Sequence, residues 1–477
     1  MGFSILGTGS AERYEILSRS WHAKEQAALI QHKALPAIAR NIEPLLFRSR
    51  NEMSQRATNS SKHINPGRPV PHSCEILMRR KFLLPALCAL FSIIGCFSFR
   101  QTILPTLGGS VEGERERSRQ AQPNYHDGKL QNQLPLDESL SAVLGAITGE
   151  SADSTRPEQM LEFPEGTIAG PAAPLAATWM GHSTVLLEID TLRVLFDPMW
   201  SDYASPLSGV GPERYLVPPI ALDDVDDIDV VIVSHDHYDH LDKDSISTLS
   251  ARGTRFVVPV GIGAHLEAWG VPGKQISELG WWQELRMQGV RIVCTPSRHF
   301  SGRELFDRYA TLWSGWALQG PTSSAYFSGD SGYGPHFAEI GRQLGPFDLT
   351  MLEVGSYDPA WPDVHLGPEQ ALKAHRDVRG RHLLPVHWAT FVMGNHGWTE
   401  PGERLLAART DADSLLLPRP GQRVITGEDA ELPRERWWPE TPWRTAAEAP
   451  IVATTPAPLF SLSPSGAPDT PAEHAGE

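Results

Sequence analysis

Residues 231–242 read VIVSHDHYDHLD. Val231, Ile232 and Val233 favour a buried strand. The run then breaks into a turn that carries His235, Asp236, His237, Asp239 and His240 within six positions. Residues two apart share one side of a strand, so His235 and His237 can face one point. A loop at the strand's end can turn Asp239 and His240 toward the same cavity. That supplies two imidazoles for one divalent ion, and a carboxylate with an imidazole for a second.

Three more candidates stand where other strand-like runs end: His299 in RIVCTPSRH, Asp330 in SAYFSGD and His387 in HLLPVHW. With the HDHYDH turn they bring the set to seven nitrogen and oxygen ligands. Seven is enough for two divalent ions that share one carboxylate. Imidazole and carboxylate without thiolate suit zinc, and iron or manganese fit the same donors. Each ion would keep a position open for water, which marks a catalytic rather than a structural site.

The rest of the chain sets limits on this reading. It has 477 residues, 40% hydrophobic and 21% charged, as in a globular protein. A formal charge of −15 argues against general nucleic-acid binding, because an acidic surface repels phosphate backbones. Of the four cysteines, Cys74, Cys88, Cys96 and Cys294, only Cys294 falls in the strand-rich part, so no disulfide framework is expected there. In RIVCT it reads as a buried free thiol. From about Ala176 to Gly427, strand-like runs alternate with turn signals and short helical patterns such as FAEIGRQLG and GPEQALKAHRDV. Strands covered by helices point to a layered α/β or α+β sandwich. No internal repeat is visible.

The order HxHxDH, then a histidine, an aspartate after a glycine and a final histidine resembles the metallo-β-lactamase-fold hydrolases. TWMGHSTVLLEID, LFDPMWSDYASP, GPERY, SHDHYDHLD, ELGWWQE, TPSRHFSGR, FSGDSGYGPHFAEIG and PVHWATF narrow the resemblance. They are similar to the branch of the N-acyl-phosphatidylethanolamine-hydrolysing phospholipase D, over about residues 176–427. The resemblance implies an α/β (α+β) fold, a four-layer αββα sandwich with the site at one edge. It places His235, His237 and His299 on a first zinc, Asp239, His240 and His387 on a second, and Asp330 across both. Asp239 would also orient the attacking hydroxide that two zinc ions produce from water at neutral pH. His365, in WPDVHLGPEQA, matches a family histidine near the substrate, where it could bond the phosphate or the leaving oxygen. A residue merely packed beside the site is an equal alternative for it. Asp197 (LFDP) and His182 (GHST) end neighbouring strands and could orient ligand histidines. Tyr357 and Trp361, in GSYDPAWPDVH, are placed to line a substrate groove.

Outside this region the sequence changes texture. Residues 1–77 read as poorly ordered. Residues 78–100 open with Arg79, Arg80 and Lys81 and continue in an 18-residue uncharged run from Phe82 to Phe99. That is long enough for a membrane anchor, and it also has the parts of a bacterial export signal, with Cys96 as a candidate lipidation site. The export reading implies that residues 1–77 are not part of the natural product. Residues 101–165 read as a flexible tether, 166–440 as the catalytic domain and 441–477 as a disordered tail. The expected protein is a dinuclear zinc hydrolase, anchored or exported to the periplasmic side of a cell envelope. Its expected substrate is a phospholipid or another phosphodiester, cleaved as a phospholipase D does. A lactone or amide hydrolase of the same fold is the alternative, and a non-catalytic metal-binding envelope protein is a third.

Overall fold

The computed structural model describes residues 105–137, 154–163, 168, 170–304, 307–427 and 430–460. The expectations for residues 1–77 and 78–100 lie outside the described residues. No described helix is long and apolar enough to cross a membrane.

Among the described residues, two seven-stranded sheets carry the fold. The first is built from β3 (Leu175–Gly181), β4 (Thr184–Ile189), β5 (Leu192–Phe196), β6 (Val230–Ile232), β7 (Arg255–Pro259) and β8 (Ile276–Leu279), with β16 (Arg423–Ile425) at its edge. The second runs through β9 (Glu284–Met287), β10 (Val290–Thr295), β11 (Gly315–Gln319), β12 (Ser324–Phe327), β13 (Phe347–Glu353), β14 (Gly380–Val386) and β15 (Ser414–Leu415). The spatial orders are β16-β3-β4-β5-β6-β7-β8 and β9-β10-β11-β12-β13-β14-β15. In each order the first three pairings are antiparallel. The last three are parallel. The halves therefore share one plan that the sequence does not reveal, because strand pairing depends on backbone and burial rather than on residue identity.

Period-two burial explains the layering. In β4, Val185, Leu187 and Ile189 enter the large core while Leu186 enters a second cluster. In β6 and β7 the same split puts Ile232 and Val257 in the first, and Val231, Phe256 and Val258 in the second. Phe196 and Phe327 stack across the two sheets with ring centroids 4.5 Å apart, so the inner faces meet. The second cluster also takes Ile246, Leu249 and Leu266, from helices Lys243–Ala251 and Gly263–Ala268. Helices His336–Gln343, Pro368–Asp377 and Glu400–Ala408 give Phe337, Ile340, Leu372 and Leu405 to the first. Helix, sheet, sheet and helix make the αββα sandwich.

Two boundaries differ from the sequence reading. The expected tether forms a helix at Gly113–Gln120 and a short hairpin, β1 (Tyr125–His126) with β2 (Lys129–Leu130). Leu130 is fully buried in the main core and Leu134 is also buried. The expected disordered tail is anchored as far as residue 460. The Ala449 carbonyl accepts from the buried Arg404 guanidinium at 3.0 Å, and the Leu459 amide donates to the Gln133 carbonyl at 2.8 Å. Composition counts polar and proline content across a segment. A few buried leucines, or a few main-chain bonds to buried side chains, are enough to hold one down.

Candidate metal centre

The polar residues of interest sit at or just beyond the carboxyl ends of the strands, where open α/β sheets place their ligands. His182 follows β3 and Asp197 follows β5 directly, the HDHYDH turn follows β6, and Asp330 lies just past β12. Glu353 is the last residue of β13, and His387 follows β14 directly. His182, Asp197 and His387 turn out of their strands through left-handed backbone, with φ of 48°, 40° and 64°. Each such residue costs about 1–2 kcal/mol, a strain typical of functional sites. Gly329 (φ 55°) brings the halves together: a Cβ there would lie 2.6 Å from the Ser234 Cβ and 2.7 Å from the Ser314 carbonyl oxygen.

The structure brings all seven expected ligands to one place. His237 Nδ1 lies 2.8 Å from His235 Nε2 and 3.2 Å from His299 Nε2. Beside this trio, Asp239 Oδ2 is 3.1 Å from His240 Nε2 and 3.3 Å from His387 Nε2. Asp330 Oδ2 reaches into both groups. It is 3.2 Å from the Nε2 atoms of His240 and His387, and 3.8 and 3.7 Å from those of His235 and His299. Donor atoms of His235, His237 and His299 all lie within 4.8 Å of one another, as do those of Asp239, His240, His387 and His182.

Neighbouring side chains aim these donors. Asp197 Oδ2 accepts from His240 Nδ1 at 2.7 Å, which leaves His240 Nε2 facing the cluster. The same carboxylate accepts from the Ser234 hydroxyl at 2.6 Å and the Ser234 amide at 2.7 Å. His182 Nε2 pairs with Asp239 Oδ2 at 2.8 Å, and His299 Nδ1 donates to the Val364 carbonyl at 2.8 Å. Asp236 points elsewhere. It accepts from the Gly302 amide and the Thr311 hydroxyl, both at 2.7 Å, and so secures the following loop.

Burial sets the charge states. It holds His235 and His299 well below the usual imidazole range, His237 at about 4 and His182 at about 3. These rings are neutral at neutral pH, the form that binds metals. Burial alone would raise the carboxyls of Asp239 and Asp330, but the facing imidazoles pull both well below the carboxylate range. Burial likewise opposes charge on His387, yet Asp330 and Asp239 outweigh it and push its pKa up to about 10. The paired carboxylates therefore demand positive charge at this spot, and Asp330 Oδ1 is buried with no hydrogen-bond partner among the described residues. A divalent cation meets both conditions.

The remaining expectations divide. His365 stands beside the cluster, with Nδ1 3.7 Å from Asp330 Oδ2 and its side chain 14% exposed. Trp361 is half-buried and its indole donates to the Ser356 carbonyl at 2.9 Å. Tyr357 corrects the sequence reading: it does not line a groove. It is buried, its hydroxyl donates to Glu400 at 2.9 Å, and its ring stacks on His396. The loop folds back on the helix from Glu400 rather than opening outward.

Three further residues were not singled out from the sequence. Glu353 is fully buried, with Oε2 2.8 Å from His365 Nδ1. Burial, with Asp330 nearby, holds its carboxyl well above the usual range. Its signal was present, since LTMLEV ends in a carboxylate as the other runs end in a ligand. Phe300 packs edge-on to His237 with ring centroids 4.6 Å apart, and the Arg308 guanidinium lies over Phe300 at 4.1 Å. That pair depends on a loop return that no local pattern announces.

Residues 192–388 match the β-lactamase superfamily domain. An N-acyl-phosphatidylethanolamine-hydrolysing phospholipase D of Caenorhabditis elegans is 37% identical over 244 residues, which cover 48% of this chain and 68% of that one. The chain belongs to the metallo-β-lactamase superfamily. Within it, this metal-dependent hydrolase is homologous to the phospholipases D of that type. A Mycobacterium tuberculosis protein described only as uncharacterised is 45% identical over 344 residues, 70% of this chain and 91% of its own. A metallo hydrolase of the archaeon Ignicoccus hospitalis aligns with 52% of this chain and 97% of its own, at 23% identity and a TM-score of 0.41.

Proposed function

We propose that the chain hydrolyses a phosphodiester bond of a phospholipid, with phospholipase-D regiochemistry, using two zinc ions. The observation that carries this reading is the meeting of two donor groups, His235/His237/His299 and Asp239/His240/His387, around the shared carboxylate of Asp330. Homology to enzymes named for N-acyl-phosphatidylethanolamine supports the substrate class. When bound, such ions lower the pKa of water toward neutrality and polarise a phosphoryl oxygen.

The chain's own groups divide the remaining work. Asp239, kept ionised and aimed by His182, accepts a hydrogen bond from the attacking water and so directs its lone pair at phosphorus. His365 is fixed through Nδ1 by Glu353, which leaves its other ring nitrogen to contact the phosphate or the departing alcohol. The Arg308 guanidinium, stacked on Phe300 beside His237, adds positive charge near the cluster, which favours an anionic substrate. The uncharged run from Phe82 to Phe99, read as anchor or export signal, would deliver the enzyme to the membrane that holds such lipids.

The test is incubation of the zinc-loaded full chain with N-acyl-phosphatidylethanolamine, followed by mass spectrometry of the products, beside Asp239→Asn. Phosphatidic acid and N-acylethanolamine formed only by the intact site are the expected result. Diacylglycerol or a lysophospholipid in their place would overturn the regiochemistry, and no product at two zinc ions per chain would overturn the substrate class.

A further inference from the structure

The turn that carries His299 is held from outside the matched domain. Asn132 is buried and contacts the His299 backbone on both sides of its Cα. Its Nδ2 donates to the His299 carbonyl at 2.7 Å, and its Oδ1 accepts from the His299 amide at 3.1 Å. The same Oδ1 accepts from the Trp313 indole at 3.0 Å, which fixes the orientation of the carboxamide. A second clamp sits one residue earlier. Arg298 pairs with Asp363 at 2.9 Å, both side chains buried, and its guanidinium donates to the carbonyls of Pro135 and Thr454. Asp363 in turn accepts from the Asp137 and Thr454 amides. Asp363 lies next to Val364, whose carbonyl accepts the hydrogen bond from His299 Nδ1, and two residues before His365.

We propose that Asn132 is a positioning residue for the metal ligand His299, so that the segment before the catalytic domain is part of the metal site's support. The inference rests on the metal reading above. Its physical basis is that a ligand's bond direction follows its backbone. His299 stands four residues past the end of β10, where no sheet pairing holds it. Two hydrogen bonds from one carboxamide replace that pairing, and the ring nitrogen then points at His237 and Asp330 rather than sampling several directions.

The experiment is equilibrium competition of the full chain with a fluorescent zinc chelator, together with the absorption spectrum of the cobalt-substituted protein. Wild type, Asn132→Ala, Asn132→Asp and Leu130→Ala are compared. Asn132→Ala is expected to weaken one of two zinc affinities about 10–100-fold, the range for outer partners of metal ligands, and to change the cobalt spectrum. Leu130→Ala, which loosens the same segment without touching His299, is expected to lower the melting temperature and leave both affinities unchanged. Asn132→Asp keeps the acceptor and loses the donor, and it serves if Asn132→Ala does not fold; a smaller loss at the same single site is expected. Unchanged zinc affinities in the Asn132 variants would overturn the proposal, as would an equal loss in Leu130→Ala. A wild-type chain that binds no zinc would sink the metal reading itself, an outcome distinct from either.

Discussion

The two sheets follow one pairing plan, yet they feed the candidate metal centre in different ways. The first concentrates His235, His237, Asp239 and His240 in a single turn after β6. The second delivers one ligand per strand end: His299 beyond β10, Asp330 beyond β12 and His387 beyond β14. A turn can be read from spacing alone, whereas separate strand ends share a cavity only once the sheet exists. Asp330 is where the two modes join, because its Oδ2 touches histidines of both halves.

That join gives the largest expected effect. Asp330→Ala should lower phosphodiester turnover about a thousandfold or more, several kcal/mol of transition-state stabilisation, and reduce zinc content below two per chain. Steady-state kinetics with metal analysis checks both, and full activity with one zinc would separate the halves. Next, His237→Ala and His299→Ala should behave alike, each leaving one tightly held metal, though one ligand comes from each sheet. Zinc titration of the two variants would break the comparison if only the turn variant lost metal.

Asp197→Asn tests the supports. It should weaken zinc binding about 10–100-fold, chiefly through His240, with a smaller effect on the His235 group, because the Ser234 hydroxyl links Asp197 to His235 Nδ1. Glu353→Gln should cost less: turnover falls, zinc content stays at two, and the loss matches that of His365→Ala because both act through one imidazole. A double-variant cycle measures this, and additive losses would contradict it. The smallest effect belongs to Tyr357→Phe. It should leave turnover unchanged and cost about 1 kcal/mol of stability from the lost bond to Glu400, seen by thermal denaturation.

These differences also explain what could be read in advance. The HDHYDH turn was readable as a candidate site because its donor residues are local and their spacing obeys strand geometry. His299, Asp330 and His387 were readable as strand-end polar residues, and the resemblance to a known family supplied their grouping. Glu353 ended a run of the same kind and passed unnoticed, since a lone carboxylate announces nothing until His365 is seen against it. Tyr357 was misplaced because proximity in sequence to His365 says little about which way a loop folds. By composition, residues 101–165 read as a tether and 441–477 as a disordered tail, yet Asn132 and Thr454 bond to the backbone or side chains around His299. Such long-range single contacts leave no periodic trace.

The central claim is that both sheets build one dinuclear centre. Its most direct test is the metal content of the full chain, purified with zinc present and dialysed, by inductively coupled plasma mass spectrometry beside Asp330→Ala. The account predicts two zinc ions per wild-type chain and fewer than two in the variant. One ion or none in the wild type, or two retained by the variant, would contradict it.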